Sequence, residues 1–187
     1  MTIKVRHIFL LIGLVAVILS FLFFGRQQST HNLILFSGLA VSAIAYVAIL
    51  AKNDRAINKF FWTIIVGVSL LLQHFTESFL IKKSYGIFIS KNQNNLAKLN
   101  SIVLTKKNDL LFIPTSGIKT SADFTPEEVN QIKILIKGTN ISLIEKDSTK
   151  IYYQTFGFLD VSNGVFYFYN TTRIDYRYSN IFGRWFY

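Results

Sequence analysis

Apolar residues fall into three long runs in the first part of the chain, at 8–24, 33–51 and 60–81, separated by polar and basic connections. Crossing the hydrocarbon core of a bilayer takes roughly 20 predominantly apolar residues in a helix, so each run predicts a transmembrane span. The first two carry no charged residue. Lys4 and Arg6 precede the first run as they would a signal peptide. Its end, Phe21-Leu22-Phe23-Phe24-Gly25-Arg26, lacks the small residues of a cleavage site, which predicts a retained anchor. In the second run Gly38, Ser42, Ala45 and Ala48 recur at spacings of three and four, and this face predicts close packing on a neighbouring helix. The third run is fully apolar to Leu72. It then turns amphipathic through Gln73, His74 and Glu77 before Phe79-Leu80-Ile81 and the basic pair Lys82-Lys83.

Beyond Lys83 the period shortens. Alternating or β-branched stretches at 85–90, 101–105 and 110–113 predict strands, the last ended by Pro114, with a loop over 115–123. Thr125-Pro126-Glu127-Glu128 has the composition of a capping box with proline at the first helical position. Val129, Ile132, Leu135 and Ile136 follow on one face, and Gly138 supplies a left-handed stop. Further strands are predicted at 140–145, 151–156, 165–169 and 174–178, with a turn at Asp147-Ser148 and a hairpin at Asn163-Gly164. Trp185-Phe186-Tyr187 reads as an edge element. Residues 1–83 thus form a three-helix transmembrane region, and residues 84–187 a small α+β domain, mainly antiparallel sheet with one amphipathic helix.

Charge decides the orientation. Lys4, Arg6, Lys52, Arg55 and Lys59 flank the spans on one side, and Arg26, Lys82 and Lys83 on the other. The excess of basic residues marks the cytoplasmic side, so the N-terminus is expected there and the C-terminal domain outside the inner or plasma membrane. The net charge of +10 is largely this flanking set, which meets anionic lipid headgroups. From Tyr85 onward 12 basic residues are dispersed among 8 acidic ones, a distribution that argues against nucleic-acid binding.

Candidate chemistry narrows mostly by exclusion. The chain has no cysteine, and its three histidines, His7, His31 and His74, all precede the C-terminal domain. Thiol and His-based nucleophilic catalysis in that domain are therefore excluded, as is a His-rich metal centre there. No phosphate-binding glycine loop or nucleophile elbow occurs, and no cofactor is implied. Gln73, His74 and Glu77 form a polar cluster expected at the membrane interface, with His31 expected in a loop on the same side; the residues suit solvation of a helix end better than a metal site.

Tyr152, Tyr153, Tyr167, Tyr169, Tyr176 and Tyr178, together with Arg173 and Arg177, are the candidate recognition residues, because aromatic rings bury large area while keeping a polar tip. The expected function is a non-enzymatic binding module engaging another envelope protein as an accessory, assembly or toxin-neutralising partner, with the lipid bilayer as its medium. The alternative is an enzyme or enzyme subunit acting on an envelope polymer or lipid through tyrosines and the carboxylates Glu145, Asp160 and Asp175.

Overall fold

The computed structural model describes residues 4–52, 55–106, 110–112, 124–158, 161–170 and 177–187. The chain divides into two compact units, 1–81 and 82–187. One helix, α3 (Ala56–Lys91), contributes its first part to one unit and its end to the other.

In the first unit, α1 (Val5–Ser20) continues through a 3-10 turn (Phe21–Phe23) and reverses into α2 (Gln28–Ala51). Small residues set how closely the two helices pack. A Cβ on Gly13 would lie 2.8 Å from the Gly38 carbonyl oxygen, and one on Gly38 would lie 2.9 Å from that of Gly13. Gly38, Ser42 and Ala45 are buried on this face, but Ala48 is exposed and Ile49 continues the seam. A spacing of four, three and four follows the helical period, which the step from Ala45 to Ala48 leaves. Trp62 of α3 closes a cluster with Leu10, Leu14, Ala45 and Ile49. Its ring stacks on His7 at 4.4 Å between centroids. Tyr46 and Thr63 hydroxyls hydrogen-bond at 2.9 Å, and Lys59 donates to the Leu50 carbonyl at 2.6 Å.

The outward faces of these helices are apolar: Ile12, Phe36, Ile44, Val47, Phe60, Leu71 and Phe75 are all exposed. Among the described residues three helices are, by length and composition, long and apolar enough to cross a bilayer. With 36 residues, α3 is about 54 Å long at 1.5 Å per residue, well beyond a hydrocarbon core of roughly 30 Å.

The second unit corrects two expected strands. Residues 85–90 belong to α3, and 101–105 fall at the end of α4 (Gln93–Leu104). Tyr85, Phe88 and Ile89 are buried at spacings of three and one, and Leu96, Leu99, Asn100 and Val103 repeat the pattern on α4. That is a helical stripe, and burying it outweighs the β preference of Ile87, Phe88, Ile102 and Val103. Between the helices the Asn92 side chain donates to the Phe88 carbonyl at 2.9 Å. The domain therefore carries more helix than one amphipathic segment.

The expected amphipathic helix is present as α5 (Pro126–Ile136). Thr125 Oγ1 accepts the Glu128 N–H at 3.2 Å, while a Glu128 carboxylate oxygen accepts the Thr125 N–H at 2.9 Å. Ile132 and Ile136 are buried, and Asn95 of α4 donates to the Leu135 carbonyl at 3.0 Å.

Among the described residues six strands form one antiparallel sheet: β1 (Leu110–Phe112), β2 (Leu143–Lys146), β3 (Lys150–Phe158), β4 (Val161–Phe168), β5 (Asn180–Phe182) and β6 (Trp185–Phe186), in the order β1-β2-β3-β4-β6-β5. Asn163 and Gly164, expected as a hairpin turn, lie inside β4. Gly164 pairs with Gln154 where the β3 register shifts, and a Cβ there would collide with the Tyr153 carbonyl and lie 2.9 Å from Gln154 Cα. A glycine in a strand at a bulge admits this backbone approach. The expected loop over 115–123, and 174–176 of the expected final strand, lie outside the described residues; Arg177 and Tyr178 are in a turn and a bend.

Candidate functional site

Alternation along β3 and β4 sends the expected tyrosine surface to opposite faces of the sheet. Tyr153 pairs with Val165, and Ile151 with Tyr167, on one face; Tyr152 pairs with Phe166, and Lys150 with Phe168, on the other.

On the first face Tyr153 is fully buried and donates its hydroxyl proton to Asn100 Oδ1 of α4 at 2.6 Å. Burial, with Tyr167 nearby, pushes its phenol well above its ordinary value. Tyr153 is therefore a core residue, which the sequence reading had placed on the binding surface. Tyr85 and Tyr187 rings meet at 5.7 Å on this unit. Tyr167, half-buried, pairs with Trp185 across β4 and β6 at 5.0 Å between rings.

The second face is an aromatic chain built around a lysine. Tyr152 stacks on Phe166 at 4.6 Å; Tyr178 meets Phe166 at 4.8 Å and Phe168 at 5.2 Å edge-on; Phe168 meets Phe186 at 5.1 Å. Lys150 donates to the Tyr178 hydroxyl at 3.0 Å and pairs with Asp147 Oδ2 at 3.3 Å. Its ammonium also lies 5.1 Å from the Tyr178 ring centroid and 5.7 Å from that of Phe166, within cation–π range. Burial alone would lower the Lys150 pKa, but the hydrogen bonds to Tyr178 and Asp147 outweigh it and hold the ammonium above its ordinary value. A lysine nucleophile or Schiff-base former needs the opposite shift, so this side chain is a fixed cation.

Asp147 organises the β2–β3 turn. Its Oδ1 accepts the Thr149 N–H at 2.7 Å, the Thr149 hydroxyl at 2.8 Å and the Lys150 N–H at 2.9 Å. Burial raises the carboxyl pKa, yet these bonds and Lys150 more than offset it and hold the group below its ordinary value. Tyr169, another expected binding residue, donates its hydroxyl to the Asp147 carbonyl and sits 5.9 Å from the Lys146 ammonium. Tyr169 fastens the turn.

Glu145 is exposed on β2, opposite Tyr152. Arg177 is exposed. Asp160, Asp175, Arg173 and Tyr176 lie outside the described residues. Gln73, His74 and Glu77 sit on α3, with His74 exposed and the other two half-buried. His31, expected in a loop, is in the first turn of α2. It is buried, with Nδ1 3.0 Å from the Ser20 carbonyl and its ring against Phe21 and Phe24. Among the described residues no group of three or more histidines and carboxylates gathers.

Sequence reasoning missed Lys150 and Asn100, while Trp185, expected in an edge element, lies on β6 between β4 and β5. Lys150 follows an Asp-Ser turn signal and could have been found by registering the hairpin; Asn100 needed α4 to be read as a helix. A groove of about 280 Å³ lies where α4 faces β4 and β6, lined by Gln93, Asn100, Tyr167, Phe182 and Trp185 among others. No protein-family model, curated protein or solved structure matches this chain.

Proposed function

We propose that the protein is a multi-pass protein of the inner or plasma membrane, with a cytoplasmic N-terminus and an extracytoplasmic C-terminal domain spanning 84–187. In this reading the domain is a non-enzymatic binding module that engages another envelope protein, in an accessory, assembly or toxin-neutralising role. The observation that carries the recognition reading is the half-buried ring set of Tyr152 on β3, Phe166 on β4 and Tyr178 in a bend, held together by Lys150. Such rings offer contact area at low conformational cost, the property that concentrates binding energy in Tyr and Trp at interfaces. Chemistry supports the same reading: the domain has neither His nor Cys, and Lys150 is held as a cation. The orientation rests on the basic flank of Lys4, Arg6, Lys52, Arg55 and Lys59.

Photo-crosslinking in intact cells tests this. A crosslinking amino acid replaces Tyr152, Phe166 or Tyr178 in the full-length protein, with exposed Lys133 of α5 as control. One envelope protein should be captured from the aromatic positions and not from position 133, and should bind the purified protein directly. Equal capture from all positions, or none from the three rings, overturns the reading.

A further inference from the structure

On the opposite face of the sheet, the groove between α4 and the β4–β6 pair combines two kinds of surface. Its walls are the rings of Tyr167, Trp185 and Phe182, with Ile89 of α3 beside them. Among the lining residues Gln93 and Asn100 carry amides, Tyr167 a hydroxyl and Trp185 an indole N–H. Among the described residues, none that lines it is charged.

These polar groups are not consumed by the fold. Asn100 is only 8% exposed, and its Oδ1 is taken by Tyr153, which turns the amide NH2 into the donor left over. That NH2 makes no hydrogen bond among the described residues, and neither do the side chains of Gln93, Tyr167 and Trp185. Asn100 lines the groove, and its amide NH2 is open to solvent, a donor that water satisfies and a ligand can take over.

We propose that this groove binds a neutral sugar ring. A pyranose has an apolar C–H face that packs on an indole or phenol ring, and a rim of hydroxyls that both donate and accept. Asn100 offers a donor, Gln93 offers both donor and acceptor, and the Tyr167 hydroxyl can serve as either. The absence of any charged wall removes the reason to bind a phosphate, a carboxylate or a cation, since such ligands need a partner of opposite sign once desolvated. The volume is near the lower end of ligand pockets, which run from roughly 300 Å³, and this fits one ring. Phe182, 44% exposed, stands at the rim, where a second residue of a chain would lie. The site is independent of the Tyr152 face, so either assignment can fail alone.

The test uses the full-length protein in lipid nanodiscs, because glycosidic detergents carry the competing chemistry. Methyl glycosides of glucose, galactose and N-acetylglucosamine are examined by saturation-transfer NMR. Saturable transfer into the ring C–H protons of at least one is expected, with a millimolar or tighter dissociation constant. Gln93→Ala and Tyr167→Phe should each weaken binding about fivefold to tenfold, as loss of one hydrogen bond predicts. Both changes remove groups without intramolecular hydrogen bonds, so the thermal midpoint should not move. No transfer to any of the three glycosides overturns the proposal. Transfer that survives both substitutions unchanged does so too, as does displacement of the glycosides by a proline-rich peptide that binds more tightly.

Discussion

The Tyr153 hydroxyl, on the central strand β3, donates to Asn100 on α4 at 2.6 Å, and both residues are buried. This bond ties the sheet to α4 within the core of the C-terminal domain. Tyr153→Phe leaves the ring packing intact and strands Asn100 Oδ1. It should cost about 1–3 kcal/mol of unfolding free energy, the penalty for a buried acceptor without a donor. Denaturant unfolding of the full-length protein, followed by circular dichroism, measures the loss. Tyr167→Phe, whose hydroxyl makes no hydrogen bond among the described residues, should change stability by no more than about 0.5 kcal/mol.

Gly164 makes a sharper claim about backbone geometry. Any side chain at this position meets the β3 backbone at Tyr153 and Gln154, and neither can move without breaking the ladder. Gly164→Ala should therefore destabilise by about 3 kcal/mol, at the upper end of overpacking costs. Gly138 sits in open space at φ 79°, and Gly138→Ala should cost only about 1 kcal/mol through backbone strain. The contrast between the two is the informative measurement.

These two positions also show what could be read from the chain and what could not. Thr125-Pro126-Glu127-Glu128 was legible because a capping box is complete within four residues, and its two hydrogen bonds depend on nothing distant. The spans were legible because hydropathy integrates over some 20 residues. Asn163-Gly164 carries the same local chemistry as a turn, yet serves a bulge, because what selects glycine there is a backbone on the neighbouring strand. Residues 85–90 and 101–105 were misread in the same way: taken five or six at a time their β-branched and aromatic side chains favour strand, and only the longer stripe from Tyr85 through Val103 reveals helix. The tyrosines were recognised as a group, but dividing them into core, fastener and surface needed the register of β3 against β4.

Proton linkage gives a signed prediction. The Glu128 carboxyl is held below its ordinary value of 4.5 first by the hydrogen bond from Lys106, at 2.6 Å, and then by the Thr125 N–H. Asp147 is held below 3.8, burial being outweighed by its turn bonds. Both stabilise the fold above the ordinary carboxylate range, and that contribution is lost as pH falls through the lowered values. Lys150 behaves oppositely: raised above 10.5, it stabilises below that pH and the contribution fades as pH rises through the folded value. Stability should be flat between, with acid loss reduced in Asp147→Asn, which keeps an oxygen for the turn. Asp147→Ala should cost about 1 kcal/mol at neutral pH, as loss of its hydrogen bonds implies. Carboxyl NMR titration reads the two acidic midpoints directly.

The native chain contains no cysteine, so a single introduced thiol reports its own side of the membrane without background. Gln27 lies between the 3-10 turn and α2, Lys52 immediately follows α2, and exposed Lys133 is on α5. If the basic flank faces the cytoplasm, Gln27→Cys and Lys133→Cys should react with a membrane-impermeant maleimide in intact cells, while Lys52→Cys reacts only after permeabilisation. Labelling of position 52 with protection of 27 and 133 inverts the topology and places the C-terminal domain in the cytoplasm. Labelling of 27 but not 133 means instead that α3 does not cross. The close packing at Gly13 and Gly38 adds a structural arm to the same set of variants: Gly38→Leu forces α1 and α2 apart at the Gly13 carbonyl, which lies 2.9 Å from the would-be Cβ. That change should lower the thermal midpoint of the first unit, read by thermal denaturation of the full-length protein.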